Sequence, residues 1–212
     1  MYSKYVSSGC PLRLLAFHQQ PNEIDSMTRE DAWILLTEFN KEPFHLHHAE
    51  VVEGLMRYFA VQEGFADETD FWGVVGLLHD LDFEQFPQEH CAKEQQIMQE
   101  RGIDPRLIHA VASHGYAIVN DIVPEHRMEK ILYAVDELSG LIGATALMLP
   151  SKSVAELQVK TLRKKYRQPS FAAGCSREVI ARGAELLGWS LDELLEKTLE
   201  AMKSLGPLAN AK

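Results

Sequence analysis

The dipeptide His79-Asp80 ends an apolar run at residues 71–78, which a folded chain is expected to bury. Burying an imidazole and a carboxylate without partners is costly, because each loses its hydrogen bonds to water. A bound cation would remove that cost, since both groups are metal ligands. The pair therefore predicts a metal site, provided that the rest of the chain supplies further ligands.

Asp136 is a second carboxylate in an apolar setting. On a helix through this segment, Leu132, Val135 and Ser139 share its face. We therefore expect Asp136 to point toward the core, where a carboxylate needs a partner. The alternative is a structural aspartate bonded to a backbone amide or an arginine.

Three histidines fall at the edges of predicted helices. His48 and His90 each lie near the start of one, and His114 follows the end of another. Taken singly, each is explained equally by exposure to water. Together with His79-Asp80 and Asp136 they form a nitrogen and oxygen ligand set without thiolates, which suits Fe, Mn, Zn, Co, Ni or Mg. Four such ligands fill one site, and six suit two ions with a carboxylate between them.

The order H…HD…D resembles the signature of the HD superfamily of metal-dependent phosphohydrolases, and it is matched here by His48, His79, Asp80 and Asp136. The segments LLHDLDFE (77–84), YAVDELSG (133–140) and FAAG (171–174) resemble an uncharacterised bacterial branch of predicted HD hydrolases. The resemblance covers about residues 28–205. It implies an all-α fold, an HD-domain helical bundle with the metal at its centre.

The resemblance also implies how the ligands divide. As in the dinuclear members, His48, His79 and Asp136 would hold one metal and Asp80 would bridge to a second. His90 and His114 would hold that second ion, with His109 as a competitor for either place. One or two divalent ions are expected, with Fe or Mn favoured.

The activity implied is hydrolysis of a phosphoester or phosphoanhydride in a small, nucleotide-like molecule, through metal-activated water. Asp80, Asp82 and Glu84 are the candidate catalytic residues. Of these, Asp82 and Glu84 would support the ligands or orient water, and helix capping or exposure to solvent explains them about as well. Two other functions fit the same ligand pattern: a di-iron oxygenase and a non-catalytic HD-fold binding module.

A basic run at residues 160–167 is a candidate to bind the phosphate of a substrate. The alternative is the solvated face of a helix. The substrate-binding candidates in and near this run are Lys152, Lys160, Lys164 and Arg177.

Apolar residues at helical spacing, with caps and stops between them, predict an all-α chain, and no window alternates convincingly with period two. The first helix follows Thr28 and ends at Pro43. The others are expected at about 46–63, 70–81, 89–101, 105–113, 125–148, 153–166, 177–187 and 191–205. Residues 27–206 would form a single HD domain. Residues 1–26 would be an extension, either disordered or preceding a true start at Met27, and 207–212 a tail.

Composition narrows the class of protein. A chain of 212 residues with 46% hydrophobic content can bury one sizeable core. The net charge of -10 argues against nucleic-acid and anionic-membrane partners. Cys10, Cys91 and Cys175 form no CxxC pair, and no apolar stretch approaches the roughly 20 residues of a membrane span. These features predict a cytoplasmic protein and leave its oligomeric state open, while the resemblance implies a small phosphorylated substrate as its partner.

Overall fold

The computed structural model describes residues 27–210, so the predicted extension at 1–26 and the last two residues of the predicted tail lie outside it. Within this part of the chain the prediction of an all-α fold is confirmed, because the ordered elements are helices and no strand occurs. The α-helices are α1 (Arg29–Phe39), α2 (Pro43–Gln62), α3 (Thr69–Leu78), α4 (Ala92–Glu100), α5 (Pro105–Ala112), α6 (Arg127–Leu147), α7 (Val159–Tyr166), α8 (Arg177–Leu187) and α9 (Leu191–Ser204).

Capping groups in the sequence set several helix ends. The Thr28 hydroxyl oxygen accepts a hydrogen bond from the Asp31 amide at 3.1 Å and so caps the start of α1. Ser190 and Glu193 form a reciprocal capping box at the start of α9. Gly188 ends α8 with a φ of 70°, a conformation that glycine adopts without a steric penalty.

The centre of the fold is formed by α2, α3 and α6, with α8 and α9 packed against α6. Two glycines permit the closest approaches. A Cβ on Gly76 would lie 2.9 Å from the Val52 carbonyl oxygen, and one on Gly183 would lie 2.6 Å from the Ala134 Cα. Because Gly76 lets α3 lie directly against α2, the end of α3 that carries His79 comes close to the start of α2.

The predicted single helix at 153–166 is wrong. A short 3-10 helix, Val154–Glu156, is followed by extended backbone at Leu157, and α7 begins only at Val159. Leu157, with φ -69° and ψ 132°, lies outside the helical region and ends the first turn. Val154 and Leu157 are both in the core, where each is at most 1% exposed.

Two other boundaries differ for backbone reasons. Pro43, expected to stop the first helix, is the first residue of α2, a position that tolerates proline because its amide is not needed there. The helix expected from residue 89 begins at Ala92, since Cys91 has a φ of 63° and cannot continue a right-handed helix.

The described part of the predicted tail packs on the domain. Gly206–Ala209 is a 3-10 helix, Ala209 is buried, and the Asn210 side-chain oxygen accepts the Val154 amide at 2.9 Å. Among the helices of residues 27–210, none combines the length and apolar character needed to cross a membrane.

Candidate metal centre

The six predicted metal ligands meet at one place although they come from five separate segments. One lies in α2, two directly follow α3, one precedes α4, one lies in the 3-10 helix after α5, and one lies in the middle of α6. In chain order these ligands are His48, His79, Asp80, His90, His114 and Asp136.

The first group contains His48, His79, Asp136 and one oxygen of Asp80. The His48 Nε2 atom lies 3.0 Å from Asp136 Oδ1 and 3.2 Å from His79 Nε2, and His79 Nε2 lies 3.3 Å from Asp136 Oδ1. The Asp80 Oδ2 atom is 3.4 Å from His79 Nε2 and 3.7 Å from His48 Nε2. Adjacent ligand atoms bonded at about 2.1 Å to one metal are separated by about 3.0–3.4 Å, so these spacings fit one cation.

The second group faces the other oxygen of Asp80. His90 Nε2 and His114 Nε2 are 3.1 Å apart, and Asp80 Oδ1 lies 3.5 Å from the first and 3.7 Å from the second. The Asp80 carboxylate therefore directs one oxygen to each group. This is the arrangement of a carboxylate that bridges two metal ions.

Hydrogen bonds at the far side of three rings fix which nitrogen is free. Carbonyl and carboxylate oxygens only accept, so each Nδ1 facing one must carry the proton, and the lone pair of the neutral ring is then on Nε2. The Nδ1 groups donate to their acceptors as follows: His79 to the Gly76 carbonyl at 2.8 Å, His114 to the Val111 carbonyl at 2.6 Å, and His90 to Asp82 Oδ1 at 2.8 Å. All three free nitrogens lie beside Asp80.

Protons compensate the charges of this cluster when no cation does. Burial alone lowers the pKa of His79, but the negative charges of Asp80 and Asp136 outweigh it and hold that pKa well above its ordinary value. For Asp136, burial raises the pKa, and the charge of His79 with the hydrogen bond to His48 outweighs that effect and lowers it. Bound cations would take the place of these protons. The two groups of ligand atoms on either side of Asp80 therefore fit two divalent ions.

Asp82 has a different place from the one predicted for a catalytic residue. It is fully buried, and its two oxygens accept from His90 Nδ1 and from the Glu94 amide, both at 2.8 Å. The carboxylate thus orients the His90 ring and anchors the start of α4, and it does not face the cavity above the ligands. Asp82 therefore positions a ring that would hold a second ion.

Replacing Asp82 with alanine is expected to lower the affinity for the ion held by His90 and His114 by about 10–100-fold, because the His90 ring loses its fixed orientation. Unfolding free energy should fall by about 1–3 kcal/mol, because the Glu94 amide loses its acceptor. Metal titration calorimetry and urea unfolding measure the two effects. Full affinity for two ions in an inactive Asp82→Ala protein would instead assign Asp82 a direct catalytic role.

Glu84 also lies apart from the ligands. Its Oε2 atom accepts the amides of Lys41 and Glu42 at 2.8 and 3.0 Å, just before α2. These contacts hold the loop that leads into α2. Glu84 does not line the cavity above the ligands, and its catalytic role stays a prediction.

The predicted phosphate-binding residues do not meet at the cavity. Lys160 and Lys164 lie on α7, which packs on α9 and α6, and Lys152 lies in the loop after α6. Arg177 is saturated by the backbone, because its guanidinium donates to the carbonyls of Tyr166, Gln168, Phe171, Ala172 and Cys175. It therefore clamps the segment at 166–175, part of which forms a wall of the cavity.

A cavity of about 430 Å³ opens above the metal ligands. Its wall includes Glu137, Gly140, Gly174 and Cys175, and within residues 27–210 it contains no lysine or arginine. Glu137 was not predicted as a site residue. The one feature of the sequence that points to it is its position directly after Asp136. Burial and the neighbouring charge of Asp136 raise the pKa of Glu137 to about 7, and its Oε2 accepts the Ser176 amide at 3.1 Å.

Glu94 is a buried carboxyl that the sequence analysis missed. It is fully buried, and neither of its oxygens has a hydrogen-bond partner of ordinary geometry in the described chain. Burial, followed by the charges of Asp82 and Asp80, raises its pKa well above the ordinary value. Glu94 is therefore neutral at a pH where a solvated glutamate is charged.

Glu94→Gln is expected to become increasingly more stable than the native protein as pH rises above about 4.3, the usual glutamate pKa. A raised pKa in the folded state means that folding favours the protonated form, so this contribution is lost with increasing pH. The difference in unfolding free energy should grow by about 1.4 kcal/mol per pH unit between the unfolded and folded pKa values. Urea unfolding of both metal-free proteins from pH 4 to 8 measures it, and a constant difference would contradict the assignment.

His109, the competitor for the second ion, lies elsewhere. Its Nδ1 pairs with Glu129 Oε1 at 2.9 Å, and the ring lines a separate cavity of about 840 Å³ together with His126. The residue that joins His114 is therefore His90.

Comparisons with models of known protein families, with curated proteins and with solved structures find no match. The geometry of the six ligands is consequently the main support for any function.

Proposed function

We propose that this protein is a dinuclear metal-dependent phosphohydrolase of the HD type, acting on a phosphoester or phosphoanhydride. The observation that carries the proposal is the Asp80 carboxylate, with one oxygen toward each of two groups of ligand atoms. Two divalent ions bound there would polarise substrate oxygens and lower the pKa of water, which is the chemistry that phosphoryl hydrolysis needs.

The side chains of this site have different roles. His48, His79 and Asp136 would hold one ion, and His90 and His114 the other, with Asp80 shared. Hydrogen bonds that three rings donate to the Gly76 and Val111 carbonyls and to Asp82 keep these rings in the tautomer that binds metal.

Glu137 adds a group that can exchange a proton near neutral pH. It lines the same cavity, and in the metal-free protein burial and the charge of Asp136 raise its pKa to about 7. Its bond to the Ser176 amide fixes the carboxyl against the segment clamped by Arg177.

The proposal is tested on protein purified both aerobically and anaerobically, with elemental analysis followed by phosphate-release assays. The assays use a panel of mono- and diesters and anhydrides with added Mn²⁺ or Fe²⁺. We expect two transition-metal ions per chain and hydrolysis that chelation removes and metal restores. A fully loaded protein that releases no phosphate from any compound would refute the hydrolase, and oxygen uptake on adding a polyol or phosphonate would indicate the oxygenase. A protein that binds no metal under either condition would indicate a binding module.

A further inference from the structure

The cavity above the ligands has an unusual balance of charge for a phosphate-binding site. Its charged and ionisable lining consists of the candidate ligands other than His79, together with His45, Glu137 and Cys175, and no lysine or arginine of residues 27–210 lines it. Sites that hold a triphosphate chain use such side chains together with metal ions to balance it. Here only the ions themselves would supply fixed positive charge.

Counting charges limits the substrate. Two divalent ions bring four positive charges, and the carboxylates of Asp80, Asp136 and Glu137, with Asp82 behind the His90 ring, offset three of them when Glu137 is protonated and all four when it is not. An excess of at most one positive charge suits a single phosphate group, which carries about 1.5–2 negative charges near pH 7. A triphosphate carries about twice that charge or more, and most of it would be left uncompensated.

The mouth of the cavity is apolar, although its residues face water. Phe44 is 75% exposed, Phe83 41%, Ile118 52% and Val119 51%, and all four line the cavity. We call these four residues the apolar rim. Exposed apolar groups gathered around a polar centre are typical of a binding site for an amphipathic small molecule.

The apolar rim is built by the same segments that bring the ligands. Phe44 lies one turn before His48 in α2, Phe83 follows Asp80 by three residues, and Ile118 and Val119 follow His114 in the next turn. The Phe83 ring also contacts the His90 ring edge-on, with 5.0 Å between centroids. Folding of the metal centre therefore assembles the rim directly beside it.

We infer that the site takes phosphate monoesters that carry an aromatic or alkyl group, with the phosphate at the ions and the apolar group on the rim, and that it discriminates against polyphosphates. This inference rests on the proposed hydrolase function. It narrows the substrate from phosphorylated small molecules in general to singly phosphorylated, amphipathic ones.

The test compares substrates that differ in one property at a time. Benzyl phosphate and glycerol 1-phosphate are both esters of primary alcohols with equal phosphate charge, and they differ chiefly in the apolar group. The monophosphate and triphosphate of one nucleoside differ in charge. We expect kcat/KM for benzyl phosphate to exceed that for glycerol 1-phosphate by about tenfold or more, and the nucleoside monophosphate to be preferred over the triphosphate.

Two variants separate the rim from general surface effects. Phe44→Ala should lower the preference for benzyl phosphate by about 3–10-fold, mainly through KM. Ile34→Ala removes a side chain that is 65% exposed on α1 and does not line the cavity, so it should leave the preference unchanged. Calorimetry of benzylphosphonate binding to the metal-loaded proteins gives a readout that is independent of turnover and should show the same order.

The outcomes distinguish the two proposals. If kcat/KM is equal for benzyl phosphate and glycerol 1-phosphate, or if the nucleoside triphosphate is a better substrate than the monophosphate, the inference fails while the hydrolase stands. If loaded protein releases no phosphate from these compounds or from any other phosphoester or phosphoanhydride, the hydrolase itself fails and the inference with it. Equal binding of benzylphosphonate by native protein and Phe44→Ala would also overturn the role of the rim.

Discussion

Asp80→Ala is expected to lose the paired metal centre and to lower phosphatase activity by about 1,000-fold or more. The reason is geometric, because one carboxylate supplies a ligand atom to each of two groups, at 3.4 Å from His79 Nε2 and 3.5 Å from His90 Nε2. Removing a residue that merely supports a ligand typically costs 10–100-fold in metal affinity. Removing a ligand shared by two ions should cost more, and elemental analysis with phosphate release measures both effects.

Two further variants sharpen this experiment. Asp80→Asn keeps a single carbonyl oxygen, so it should retain about one ion per chain and little activity. Asp67→Ala removes an exposed aspartate outside the ligand groups, and it should keep both ions and full activity. An Asp80→Ala protein that keeps two ions per chain and its activity would exclude Asp80 as the bridge.

The ligand set was accessible to sequence reasoning because its members are chemically conspicuous. His79, Asp80 and Asp136 stand out as polar side chains in apolar helical surroundings. The structure brings His48, His90 and His114 to the same point, and their metal binding stays a prediction. Helical periodicity likewise predicted most elements, since capping residues and glycine stops act within one turn of the helix end.

The supporting residues could not be predicted in the same way. Asp82 follows the HD pair in a pattern equally consistent with catalysis, capping or exposure, and only the loop between α3 and α4 directs it to the His90 Nδ1. That loop depends on the left-handed conformation of Cys91, a residue type that gives no sign of it. Glu94 reads as an ordinary charged helix residue, but the same loop turns it into the core.

The role of the basic residues could not be predicted from the sequence, for a different reason. A run of lysines and arginines indicates a charged helix face but not the direction in which that face points. α7 packs on α9 and α6, where Arg163 pairs with Asp192 at 2.6 Å, so the run serves the packing of these helices and the surface. Arg177 is used to hold five backbone carbonyls, a role that requires the loop at 166–175 to be known first.

Removing the metal is expected to lower the melting temperature substantially. Six buried or half-buried ligand side chains converge at this place, and a ligand present at about 1,000 times its Kd stabilises a fold by about 4 kcal/mol. For a domain of this size that corresponds to about 8–16 °C. Thermal unfolding of loaded protein, of dialysed apoprotein and of apoprotein with metal restored measures the change, and Asp80→Ala should show little of it.

The pH dependence of this stabilisation has a definite sign. In the apoprotein the raised pKa of His79, due to Asp80 and Asp136 against the effect of burial, stabilises the fold fully below the unfolded value of about 6.5. That contribution is lost as pH rises through the folded pKa. The lowered pKa values of Asp80 and Asp136 act only in acid, so they do not change between pH 6 and 8.

Metal binding follows the opposite course, because the cation must displace the proton that His79 holds in the apoprotein. The difference in melting temperature between loaded protein and apoprotein should therefore widen from pH 6 to pH 8. Melting curves at pH 6, 7 and 8, with apoprotein prepared by dialysis so that no chelator is present, measure this trend. A difference that narrows with increasing pH would mean that His79 does not exchange a proton for a metal ion, and it would remove His79 from the ligand set.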